Sequence, residues 1–196
     1  MKKVFTRLPS SSAIPLAVRR AQDMFVLMFL LRGLPFVDLA YLRKSDLRDN
    51  VITYRRRKTG RPLSVTLTPE ALELLKKYMN RDSHSPYLFS LLKSGEGTKE
   101  AYREYQLALR SFNQQLTLLG EVLGLNDKLS SYTARHTWAT TAYYCEIHPG
   151  IISEAMGHSS IKVTETYLKP FRNKKIDEAN NQIIDFVKHS IAGVVS

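Results

Sequence analysis

Apolar residues give this chain its first outline. Between Pro15 and Leu31 they fall at Leu16, Val18, Ala21, Phe25, Leu27, Met28 and Leu31, an arc too wide for a surface helix, so the pattern predicts a buried one. Pro15 suits its first turn and Gly33 stops it. Pro35 then opens a second short helix, PFVDLAYLRKSDL, with Phe36, Leu39, Ala40 and Leu42 facing inward. Here the period drops to two. Val51 to Arg57 and Leu63 to Leu67 read as strands around Lys58-Thr59-Gly60-Arg61-Pro62, which predicts a hairpin with the lysine at its tip. Thr68-Pro69-Glu70 marks the start of a helix whose core positions are Ala71, Leu74, Leu75 and Tyr78. A long helix follows from Glu100 to Leu123, with Tyr105, Leu107, Leu109, Phe112 and Leu116 inward. Shorter ones are expected from about Tyr132 to Tyr144 and from Ile151 to Met156, the latter ended by Gly157. Ile176 to Val195 carries a stripe of Ile176, Ala179, Ile183, Phe186, Val187 and Ile191 at helical spacing. Residues 1–14 read as an extended lead-in. The expected fold class is mainly α with a small antiparallel β-hairpin.

Composition narrows this outline. A chain of 196 residues, 43% hydrophobic and without internal repeats, suits one globular domain. Its 29 Lys and Arg against 18 Asp and Glu leave a formal charge of +11, which points to a polyanionic partner, nucleic acid first. Cys145 is the only cysteine, so an internal disulfide and a thiolate zinc site are both excluded, and a cytoplasmic setting is expected. No run reaches the ~20 apolar residues of a membrane span. MKKVFTRLP lacks the apolar centre of a secretory signal.

Candidate chemistry gathers between Ser130 and Pro170. Arg135 falls near a helix start, where backbone amides also favour an anion. His158 follows the helix-ending Gly157, and Tyr167 stands nine positions later, before Pro170. Upstream, Arg55, Arg56, Arg57, Lys58 and Arg61 crowd the hairpin. Strand alternation puts Arg55 and Arg57 on one face and Arg56 on the other, a density that fits contact with a phosphate backbone. No acidic cluster suits Mg²⁺, so neither metal nor cofactor is expected. Arg32, at the joint between the first two helices, either caps carbonyls or faces an anion.

Taken in this order, the Lys-Thr-Gly hairpin, Arg135, the Gly157-His158 pair and Tyr167 resemble the catalytic domain of the tyrosine recombinase (phage integrase) family, over about Val26 to Pro170. The resemblance implies the corresponding fold and a DNA strand transfer through a 3′-phosphotyrosyl intermediate. Tyr167 would be the nucleophile, Arg135 and His158 phosphate ligands, and Lys58 the acid for the leaving 5′ oxygen. It also implies double-stranded DNA as partner, a tetramer on that DNA, and the C-terminal helix docking on its own or a neighbouring copy. The family's N-terminal DNA-clamping domain has no counterpart in these residues. Two positions depart from the pattern. The family's first catalytic arginine follows a Gly-Leu pair, where this chain has Pro35; Arg32, about one helical turn earlier, is the candidate substitute. Tyr132 stands where the H-x-x-R motif has its histidine, and a phenol with a pKa near 10 is a poor base at neutral pH. His136 is expected to face elsewhere as a structural residue. Type IB topoisomerase chemistry and a non-catalytic DNA-binding relic are the alternatives.

Overall fold

The computed structural model describes residues 2–6, 8, 14–168 and 173–192. Helix α1 (Leu16–Leu30) runs through the main core, and Phe25, Leu27 and Met28 are fully buried there. It packs against α3 (Pro69–Tyr78), α4 (Lys99–Val122) and α5 (Thr133–Tyr144), which is why its apolar arc is so wide. Thr68 caps α3 by accepting from the Ala71 amide, and Thr98 caps α4 from the Ala101 amide, as short side-chain acceptors do at helix starts. Ala101, Phe112, Leu116, Leu119 and Gly120 are the buried positions of α4, whereas Leu107 is 63% exposed and lies off the stripe assigned to it from sequence. The lead-in is not extended throughout. Lys2–Phe5 forms a 3₁₀ turn, Val4 and Leu8 are buried, and the Gln22 amide holds this segment by donating to the Val4 and Thr6 carbonyls at 2.8 Å.

Helix α2 (Phe36–Tyr41) is shorter than its apolar pattern suggested. After a 3₁₀ turn at Lys44–Asp46 the chain enters β1 (Leu47–Arg48), which pairs with β2 (Val51–Arg55), and β2 pairs in turn with β3 (Pro62–Thr66). The hairpin is thus part of a three-stranded antiparallel sheet in the order β1-β2-β3. A two-residue edge strand carries no readable alternation, so only its partner strands were visible in the sequence. Pro62 opens β3, where a missing N–H costs no ladder bond.

The C-terminal third builds a second, smaller core. Ala139 of α5 meets Ile152 and Met156 of α6 (Pro149–Met156), with Trp138, Ala142, Tyr143 and Tyr167 packed around them. Helix α7 (Ile161–Glu165) follows, and α8 (Asn173–Ala192) leaves Ile176, Ile183, Ile184 and Val187 exposed. Pro170 and the residues beyond Ala192 lie outside the described set. Among the described residues, no helix is long and apolar enough to cross a membrane.

Candidate active site

Arg135 is 2% exposed, a depth at which an arginine must spend its donors on fixed acceptors. Its Nη1 donates to the Gly33 carbonyl at 2.9 Å and its Nη2 to the Met156 carbonyl at 2.7 Å. The ends of α1 and α6 therefore aim this guanidinium, which also hydrogen-bonds the Tyr167 phenol. Gly33 is required for this. Its φ is +69°, and a Cβ there would lie 3.0 Å from the Arg135 Cα. Burial first, and the Arg56 charge second, pull Arg135 below its ordinary pKa.

His158 follows Gly157, the left-handed end of α6, and is 4% exposed. Its Nδ1 meets the Thr164 hydroxyl of α7 at 2.8 Å, and its Nε2 is buried without a protein partner. Burial, reinforced by Arg135, Arg56 and Lys58, pushes its pKa down to about 4, so the ring is neutral at pH 7. The Tyr167 ring stacks on it at 5.3 Å. The Tyr167 phenol also hydrogen-bonds that of Tyr132, whose pKa burial and this contact push up to about 12. His136 does not face away as expected. Its ring lies 4.5 Å from that of Tyr167 and 4.8 Å from that of Tyr132. The signal was present in the sequence, since residues four apart on a helix are neighbours and Tyr132 and His136 are so spaced.

The hairpin closes the other side. Lys58, Arg56, Arg135, His158, Tyr132 and Tyr167 all line one cavity of about 330 Å³. Two backbone locks seat the turn on the end of α6: the Thr59 hydroxyl donates to the Gly157 carbonyl at 3.1 Å, and Arg61 to the His158 carbonyl at 2.6 Å. Gly157 admits this approach, because with φ +64° a Cβ would fall 2.8 Å from the Arg56 Cγ. The hairpin arginines are therefore not a uniform basic face. Arg55 donates to the Gly60 carbonyl at 3.1 Å, and Arg57 pairs with Glu96 at 2.5 Å and lies over the Tyr41 ring at 3.7 Å. Arg56, expected to bind a phosphate backbone from a strand face, is 5% exposed and paired with the buried Asp38 of α2.

Arg32 is not brought to this cavity. Its Nη1 donates to the Ser64 carbonyl at 3.2 Å, and it lines a separate groove with Arg61, Leu63, Ile151 and Glu154. Arg32 does not extend the helical turn expected of it, because α1 ends at Leu30 and Arg32 itself is left-handed at φ +58°, with its side chain donating to β3.

The model of the phage integrase family matches residues 12–174. The chain belongs to the phage integrase family. Among its relatives, Tyrosine recombinase XerA of Pyrococcus furiosus is 28% identical over 149 residues, 74% of this chain and 49% of that protein. A tyrosine recombinase of Pseudothermotoga lettingae is 27% identical over 184 residues, 88% of this chain and 59% of that protein. The chain thus spans about half the length of these integrase-family relatives. The fold matches that of the Tn1549 transposon integrase in complex with a circular intermediate DNA, at 16% identity and a TM-score of 0.61, over 90% of this chain and 66% of that one.

Proposed function

We propose that this chain is the catalytic domain of a site-specific recombinase that cuts and rejoins double-stranded DNA. The observation that carries the proposal is the convergence of Tyr167, Arg135, His158 and Lys58 on one cavity, where a buried imidazole nitrogen has no protein partner. The names of the relatives and the DNA held by the Tn1549 integrase support the same reading.

The Tyr167 oxygen attacks the scissile phosphorus in line. Its bond to phosphorus forms as the bond to the 5′ oxygen breaks, leaving a 3′-phosphotyrosyl link and a 5′-hydroxyl. Lys58 gives the leaving oxygen its proton, and the phenol proton passes to water at the half-buried Tyr167 ring. Tyr132 keeps its own proton at neutral pH, so it serves as a donor to the nucleophilic oxygen rather than as a base. The Arg135 guanidinium, already beside the Tyr167 phenol, and the unpartnered Nε2 edge of His158 meet the non-bridging oxygens as their charge grows. The phosphotyrosyl link conserves the phosphodiester energy, and the reverse attack by another 5′-hydroxyl rejoins the strand. Several copies act together on the DNA as a tetramer, with the exposed apolar stripe of α8 docked on its own or a neighbouring copy.

The test is covalent capture on nicked duplexes drawn from a randomised pool. Wild type is expected to give an adduct that survives denaturant, and Tyr167→Phe none. A folded wild type that captures no duplex would sink the recombinase reading and leave a DNA-binding role. Site-independent relaxation of supercoiled plasmid would indicate topoisomerase chemistry instead.

A further inference from the structure

We infer that Arg56 is a catalytic arginine of this site, donating from its Nε–H to a non-bridging oxygen of the scissile phosphate, and that Asp38 is its positioning residue. The inference rests on the transesterification reading above and adds to it the cation that neither Pro35 nor Arg32 supplies.

Four observations converge on Arg56. It lines the cavity shared by Tyr167, Arg135, His158 and Lys58, which Arg32 does not. Its Nη1 is spent on Asp38, whose side chain is 0% exposed, and the other oxygen of that carboxylate accepts from the Arg57 amide at 3.0 Å. The carboxylate is thus pinned by the backbone of the turn that follows β2, and the guanidinium cannot swing freely. Its Nε is buried without a partner; together with His158 Nε2 it makes up the unpartnered buried side-chain nitrogens and oxygens among the described residues. Two orphaned nitrogens on one cavity are what a site for a multidentate anion leaves behind when that anion is not bound. Finally, the charges do not balance locally. Arg135 spends two donors on neutral carbonyls, so Asp38 alone offsets two buried guanidiniums and the adjacent Lys58. A phosphate supplies the missing negative charge, and more of it in the phosphorane than in the ground state.

Position on the chain explains the arrangement. Pro35 leaves the start of α2 without a side-chain donor, but the same helix presents Asp38 one turn on. Just past β2, Arg56 reaches that carboxylate, and its stem fits only because Gly157 lacks a Cβ.

The experiment uses the full chain and a nicked duplex captured from the randomised pool by wild type. Arg56→Ala is expected to slow single-turnover cleavage by about a hundredfold or more, the scale for loss of one transition-state donor, while non-covalent affinity stays within a few-fold. A methylphosphonate at the scissile position removes the charge that Arg56 meets, so it should bring Arg56→Ala to within about tenfold of wild type on the same substrate. A merely structural arginine would show no such rescue, and Tyr167→Phe must show none. Because Arg56→Ala strands a buried carboxylate, the double variant Asp38→Asn with Arg56→Gln removes both charges and must repeat the result. Arg32→Ala should cleave within about threefold of wild type. Near-normal cleavage by the Arg56 variants, or a defect without methylphosphonate rescue, overturns the assignment. If wild type captures no duplex, the recombinase reading fails by itself, and orthovanadate titration followed by His158 ring NMR decides the clamp. Wild type should then bind at least about tenfold tighter than Arg56→Ala, and equal binding overturns it.

Discussion

A neutral imidazole carries one N–H, and in His158 the Thr164 hydroxyl on Nδ1 governs where it sits. A phosphate oxygen at Nε2 needs that proton there, which leaves a lone pair on Nδ1 for Thr164 to donate into. Thr164→Val removes the donor and leaves a buried nitrogen unpaired. It should cost about 1–3 kcal/mol of stability in denaturant titrations and move the ring ¹⁵N shifts toward the other tautomer, with Thr164→Ser restoring both. The pH behaviour follows from the same ring. Its folded pKa of about 4 lies below the ordinary 6.5, so the unfolded chain binds the extra proton between these values. This contribution to stability is complete above pH ~6.5 and is lost as pH falls toward ~4. His158→Gln should therefore lose less stability than wild type between pH 7 and pH 5; an equal loss would place the sensitivity elsewhere. His158 was readable from its place after Gly157. Thr164 was not, since the five intervening residues had to turn into α7 before its hydroxyl met the ring.

Between elements, the site is held by close approach of backbone to side chain at two glycines, the end of α1 on α5 and the end of α6 on the hairpin. Helix ends were legible because Gly33 and Gly157 terminate apolar periods; what crosses against them was not, since periodicity carries no tertiary register. That gap also explains Arg56, because strand alternation told its face but not that α2 would cover that face with Asp38. Gly157→Ala meets both a left-handed φ and the Arg56 stem, whereas Gly124→Ala, at φ +58° beyond α4, meets no atom within 4 Å. Each should lose about 1–3 kcal/mol from backbone strain. Only Gly157→Ala should also slow single-turnover cleavage, by tenfold or more, since the hairpin must retreat and carry Arg56 and Lys58 with it. Equal cleavage by the two variants would show that the close approach has no part in the chemistry.

At the scale of the molecule, family and fold class were legible because hairpin, Gly-His pair and tyrosine occur in one order, while net charge alone did not show which cations face solvent. Of the hairpin arginines, Arg56 turns inward onto Asp38, whereas Arg55, Arg57 and Arg61 stay exposed and bonded to the Gly60 carbonyl, Glu96 and the His158 carbonyl. The surface that remains for assembly is apolar. Ile176, Ile183 and Val187 repeat at seven and four positions along α8, one face of a helix, and each is at least 48% exposed. Exposing such a stripe to water is unfavourable, and on the tetramer proposed above its own or a neighbouring copy of the chain would cover it. Charging the stripe with Ile183→Asp and Val187→Asp touches no group on the catalytic cavity. Covalent capture of a nicked duplex, which needs one active site, should then persist within a few-fold. The slower-migrating multi-protomer complexes on DNA with two sites should be lost, together with strand exchange. Retention of both in native gels and by analytical ultracentrifugation would mean that α8 covers no partner.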